Sequence, residues 1–340
     1  MNLNYSKKIL CVILFIVCTA ILCACASNDI VTIPKEKVST QEELLDIQVK
    51  ATQTKKKTEQ TKEKTVAKRD NTPVVLVPSA DGTVVYETEG VRVDASNLSE
   101  GYIMVSYTGS AGKVRMLLDT PAGAKYNYRI PIDGSYAVFP MSDGNGVYRI
   151  GIYENVMDDK YAELFSQEVN VQLQDDKKVF LYPNRYVDFN SNSEAVKKGA
   201  EIVADAGDDL EAVKAIFYYV TQNVTYDYDK AETVQSGYLP VVDDTLKTGK
   251  GICFDYSSLM ASMLRSQRIP ARLEIGYAGT VYHAWISVYI EEKGWIEDYI
   301  VFDGTDWVLM DPTLVSSAKA AEVKKQMENA DDYYDLQYKY

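Results

Sequence analysis

The chain has one histidine in 340 residues, and only one of its five cysteines lies beyond residue 25. One imidazole and one downstream thiol cannot assemble a Cys/His zinc site, so no metal is expected. The lone thiol, Cys253, has no partner for a disulfide framework. Positive charge is also short, with 36 Lys+Arg against 49 Asp+Glu and a net charge of −13. Residues 1–72 hold 12 basic and 8 acidic side chains, leaving 24 basic and 41 acidic in the remainder. A body this acidic argues against nucleic acid, because phosphate binding needs concentrated Lys and Arg. The leading apolar run, Ile9 to Leu22, has 14 residues, short of the ~20 that span a membrane.

The first 25 residues read as an address. Lys7 and Lys8 precede the apolar run, and Leu22-Cys23-Ala24-Cys25 follows it. This layout resembles a lipoprotein signal peptide with its lipobox, in which Cys25 is the expected lipid attachment site, the alternative being ordinary cleavage or an uncleaved anchor. Two acyl chains would hold the protein at the extracellular face of the cell membrane. Residues 26–72, with the Lys/Thr/Gln/Glu stretch from Ala51 to Lys64, cannot bury enough apolar surface to order and are expected to be a disordered tether.

From 73 to 175 the pattern is that of strands. Tyr102–Tyr107 and Gly146–Tyr153 are rich in aromatic and β-branched residues, and turn signals recur about every ten residues. An antiparallel, immunoglobulin-like sandwich is expected, with no chemistry of its own and a role in presenting substrate. From 176 to 340 the period becomes helical and then alternating. Ser193 is expected to cap a helix from Glu194 to about Asp205, and Asp208 a second, with Val213, Ile216, Phe217 and Val220 on its buried face. A helix from Cys253 to Gln267 precedes strands at Arg272–Gly276, Val281–Ile290, Trp295–Phe302 and Trp307–Met310. This domain is therefore α+β. The acidic residues Asp331, Asp332 and Asp335 read as a frayed end.

Cys253 follows Gly249-Lys250-Gly251-Ile252 at a helix start, where unpaired N–H groups and the macrodipole favour a thiolate. The two glycines let the backbone turn sharply there, and Lys250 reads as a solvated loop charge. His283, on an alternating strand, shares a face with Val281, Trp285 and Ser287. It could act as general base, with Trp285 walling the site. Asp311, followed by Pro312, could hold the imidazole in its useful tautomer. Asp255 reads as a complement to the helix dipole or part of the site wall. The backbone N–H of Cys253 is one expected oxyanion donor, and the stretch from Tyr226 to Tyr238 could supply a second.

Four pieces carry a family resemblance: Gly251-Ile-Cys-Phe-Asp-Tyr256, Arg268-Ile-Pro-Ala-Arg-Leu-Glu-Ile-Gly-Tyr277, His283-Ala-Trp285 and Trp307…Asp311-Pro-Thr313. In this order they resemble the transglutaminase-like superfamily of papain-fold cysteine enzymes, over about residues 195–315. The resemblance implies Cys253 as nucleophile, His283 as base and Asp311 as orienting acid, with a thioester formed from an amide substrate. The family includes crosslinking transglutaminases, peptidases, deglycosylating amidases and members lacking the triad. The expected protein is a surface-anchored, cofactor-independent enzyme acting on peptide or protein amides at the cell surface or wall. Hydrolysis is preferred over crosslinking because nothing identifies an amine-acceptor site. The alternative is a non-catalytic adhesion or wall-binding module retaining the fold.

Overall fold

The computed structural model describes residues 69–296, Thr313 and 334–340. The signal segment with Cys25, most of the expected tether, Asp311 and the Trp307–Met310 strand lie outside the described residues.

The N-terminal part is all β. Its first sheet pairs β1 (Val85–Thr88), β2 (Val91–Asp94), β3 (Tyr102–Tyr107) and β6 (Ala137–Pro140) in the order β1-β2-β3-β6. The second pairs β4 (Val114–Asp119), β5 (Lys125–Ile130), β7 (Gly146–Met157) and β8 (Lys160–Val171) in the order β5-β4-β7-β8. Every pairing is antiparallel. Alternation decides the faces. On β5, Tyr126, Tyr128 and Ile130 are buried, while Lys125, Asn127 and Arg129 point to the open side. Val93, Ile103, Val105 and Phe139 of the first sheet share one core with Met116, Leu118, Ile150 and Ile152 of the second.

The C-terminal part is mixed α/β. Its helices are α1 (Glu194–Ile202), α2 (Asp209–Asn223), α3 (Tyr228–Thr233), α4 (Val242–Thr248) and α5 (Cys253–Ser266). A four-stranded antiparallel sheet follows, built from β11 (Ala271–Ala278), β12 (Val281–Ile290), β13 (Gly294–Ile296) and β14 (Tyr334–Lys339) in the order β13-β12-β11-β14. A short parallel ladder joins β9 (Thr225–Tyr226) to β10 (Lys250–Gly251).

Helix α5 is the axis of this part, buried from Asp255 through Ser266. Gly199 on α1 allows close approach, since a Cβ there would stand 3.2 Å from that of Met263. Arg265 is fully buried and donates to the carbonyls of Ala271 (2.8 and 3.0 Å), Tyr182 (2.8 Å) and Tyr340 (2.6 Å). Burial pulls its pKa down to about 9, so it remains a cation at neutral pH. One guanidinium thereby ties the helix to β11, to the inter-part connection and to the residue after β14.

Asp208 caps α2 as expected, its carboxylate accepting from the Glu211 N–H at 2.8 Å. Ser193 does not cap α1. Its hydroxyl accepts from the Asn190 N–H instead, and Asp243 of α4 takes the Ala195 N–H at 2.9 Å. Helix α1 also ends at Ile202, before Asp205.

Two further expectations are corrected. Asp335 is not in a frayed end: β14 pairs with β11, and Tyr340 is 4% exposed, while Asp331 and Asp332 lie outside the described residues. The fold also begins inside the expected tether. Arg69 donates to Asp209 (2.7 Å) and to the Gln267 carbonyl (2.5 Å), while Asn71 reaches the carbonyls of Ala204 and Ala206.

A tyrosine seam joins the two parts. Tyr186 stacks on Tyr340 with centroids 3.9 Å apart and planes 5° apart. Tyr126 and Tyr128 meet Tyr340 edge-on at 5.5 and 5.9 Å. The Lys339 N–H donates to the Tyr126 hydroxyl at 3.2 Å. These contacts, with Tyr186 also 5.6 Å from the Phe254 ring, fix the second sheet beside the start of α5.

Candidate active site

Where the seam ends, the two parts enclose a cleft of about 580 Å³, well within the range of small-ligand sites. Cys253, His283 and Tyr226 all line it. Asp311, the third residue of the expected triad, lies outside the described residues.

Cys253 is the first residue of α5 and half-buried. At that position its N–H has no acceptor within the helix. The approach is set by Gly249, which ends α4 at φ +61°. Gly251 plays a different part from the one expected of it: its φ is not positive, but a Cβ there would lie 2.5 Å from the Cβ of Asp255. One glycine turns the chain and the other admits a carboxylate.

That carboxylate is a hub. Asp255 is 0% exposed and accepts from the Ile252 N–H (2.8 Å), Lys230 Nζ (2.7 Å) and the Tyr238 hydroxyl (2.5 Å). It does more than complement a dipole, and it does not line the cleft. The link to Ile252 holds the first turn of α5, while the other two fasten residues 228–238 across it. Lys230 also donates to the Tyr238 hydroxyl at 2.6 Å and stands 4.4 Å from that ring's centre. Desolvation, then the hydrogen bond to Asp255, pushes the Tyr238 phenol far above its ordinary range. Sequence reading missed Lys230. Its only signal is a cation two turns of chain away from Tyr238, and their shared acceptor lies 25 residues downstream of the lysine.

Tyr226 is held beside Cys253 by the β9–β10 ladder, in which the Thr225 N–H donates to the Gly249 carbonyl (2.9 Å) and the Asp227 N–H to that of Gly251 (3.0 Å). Desolvation, and then the neighbouring Cys253, raise the Tyr226 phenol, which therefore stays protonated and able to donate. His283 sits opposite Gly276 in the β11–β12 register. Trp285 stands behind it rather than in the cleft, its ring 6.3 Å from the imidazole at 22° and edge-on to Tyr334. Further along this face, the Ser287 hydroxyl donates to Glu274 at 2.6 Å. Among the described residues no group of three or more His, Cys, Asp or Glu is arranged to hold a metal ion.

Residues 197–312 match the family model of the transglutaminase-like superfamily. Through this segment, about a third of the chain, the protein is similar to that superfamily. It is 31% identical over 105 residues to UPF0252 protein MJ1282 of Methanocaldococcus jannaschii, covering 27% of this chain and 30% of that one. It is 27% identical over 130 residues to the kyphoscoliosis peptidase of Mus musculus, covering 33% and 19%. Among solved structures, red sea bream transglutaminase aligns over 64% of this chain and 48% of that one, at 13% identity and a TM-score of 0.26. The match to the curated relatives spans only about a fifth to a third of their length.

Proposed function

We propose that this chain is a thiol-dependent acyl-transfer enzyme acting on peptide or protein amides. The observation that carries this reading is the meeting of Cys253, at a helix start, and His283 in one cleft. In the proposed cycle His283 takes the thiol proton and the Cys253 sulfur attacks the amide carbonyl. The C–N bond breaks as His283 returns the proton to the leaving amine. Water or a second amine then attacks the thioester carbon, releasing the acyl group and restoring the thiol. The Cys253 N–H and the Tyr226 hydroxyl are proposed donors to the oxyanion, and Asp311 the proposed partner of His283. Hydrolysis is the preferred outcome.

The all-β part, whose order β1-β2-β3-β6 over β5-β4-β7-β8 supports an immunoglobulin-like reading, is proposed to present the substrate. The lipobox motif ending in Cys25 is the basis for proposing lipid anchorage at the outer face of a membrane.

Alkylation of the full chain by iodoacetamide at neutral pH tests the reading. Cys253 should react faster than a free thiol, and His283→Ala should slow it at least about tenfold, as the base that takes the thiol proton is lost. A thiol that reacts only after denaturation overturns the enzyme reading in favour of a binding module. Peptides containing glutamine, offered with a labelled amine, then separate transfer (label incorporated) from hydrolysis (cleavage or ammonia alone).

A further inference from the structure

The wall of the cleft facing Cys253 belongs to the all-β part and is basic, in a chain whose net charge is −13. Arg115 on β4 and Arg129 on β5 occupy directly opposed positions on the open face of the second sheet. Like charges so placed repel each other. The rest of that face manages its charges differently. Asp119 pairs with Lys125 (2.7 Å) and lies 3.9 Å from Arg149, which pairs with Glu163 (3.0 Å). Neither Arg115 nor Arg129 has a carboxylate within 4 Å among the described residues, and the one side-chain hydrogen bond between them and their neighbours runs from Arg115 to Asn127 at 3.5 Å. Arg185 adds a third guanidinium to the same wall. Its Nε is buried without an acceptor, and this desolvation outweighs the support of Asp188, Tyr186 and Asp133, lowering its pKa.

Arg129 is also fixed in place. Its guanidinium packs so closely on Gly237, at φ +83°, that a Cβ there would lie 2.4 Å from Nε. Gly237 belongs to the stretch that Asp255 fastens through Lys230 and Tyr238. Arg129 is therefore held against the stretch that borders Cys253, and both arginines line the cleft.

We propose that Arg115 and Arg129, supported by Arg185, form a carboxylate-binding subsite that selects acidic peptides for the cleft. A carboxylate accepted by two guanidiniums would relieve their mutual repulsion and make charge-assisted hydrogen bonds. This rests on reading the cleft as the substrate cleft, but it assigns to the all-β part a chemical role in specificity beyond presentation. The carboxylate can belong to a Glu or Asp side chain or to a peptide C-terminus.

Binding, measured without turnover, tests it independently of the chemistry at sulfur. In the full chain carrying Cys253→Ala, fluorescence anisotropy would compare dye-labelled Ala-Glu-Glu-Ala-amide with its Gln-Gln analogue. The acidic peptide is expected to bind about tenfold tighter at low salt, and the gap to shrink as salt screens it. Arg115→Gln, which leaves the Gly237 contact untouched, and Arg129→Gln should each remove most of that preference. Arg129→Lys should keep more of it, and Arg149→Gln should leave it unchanged. A third peptide, Ala-Ala-Ala-Ala with a free C-terminus, reports whether a terminal carboxylate serves as well. Equal affinity for the acidic and neutral peptides, a preference that survives both Gln variants, or no binding of any of them at millimolar concentration overturns the proposal. A thiol inert to iodoacetamide would defeat the enzyme reading while leaving this result standing.

Discussion

Both parts of the molecule have apolar cores, but the helical part buries more charge beside its own. The all-β part is stabilised by apolar faces, with Val93, Ile103, Met116, Phe139 and Ile150 all 0% exposed. The helical part buries Asp255, Arg265 and Glu274 at 3% exposure or less, together with four serines of α5. Apolar packing is forgiving of chemistry and demanding of volume. Buried polar networks are the reverse: each member must keep its partners, or a desolvated group is left unpaired. The part that carries Cys253 and His283 is thus the part whose geometry depends more on directional bonds.

Swaps that conserve volume should break or sharpen this contrast. Arg265→Met keeps length and apolar stem but strands the Ala271, Tyr182 and Tyr340 carbonyls, and should cost about 3–5 kcal/mol. Met116→Leu, also fully buried, should cost less than about 1.5 kcal/mol. Urea midpoints of the full-length variants measure both, and similar losses would erase the contrast. The smallest effect concerns a polar bond at the edge of the helical part. Asp208→Ala removes the α2 cap and should cost about 1 kcal/mol, whereas Asp208→Ser should restore most of it. No rescue by serine would mean that the Asp208 charge, not the capping bond, is what counts.

The same contrast explains what could be read from the chain. Strands β3 and β12 and helix α5 begin where alternation, a turn signal or a cap announces them, because local apolar periodicity is the physical cause of their burial. Strand β14 escaped because its signal is diluted by acids and its partner β11 lies some sixty residues earlier. Nothing local marks that pairing. At the site, Cys253, His283 and Tyr226 stood out as scarce or well-placed residues, and the structure brings them to one cleft. Asp255 was noticed but misjudged, since Lys230 and Tyr238 reach it only through tertiary folding. Arg115 and Arg129 were passed over inside a segment read as lacking chemistry. Their place in the cleft arises only when the tyrosine seam lays that sheet against the start of α5.

The clasp at Arg69 has a mechanical consequence. It grips the Gly207 carbonyl, Asp209 and Gln267, and Val74 donates to the Ser266 carbonyl. A pull on residue 69 would therefore be shared between the start of α2 and the C-terminal end of α5. The helix whose first residue is Cys253 is thus tied at its far end to the residues that lead into the all-β part.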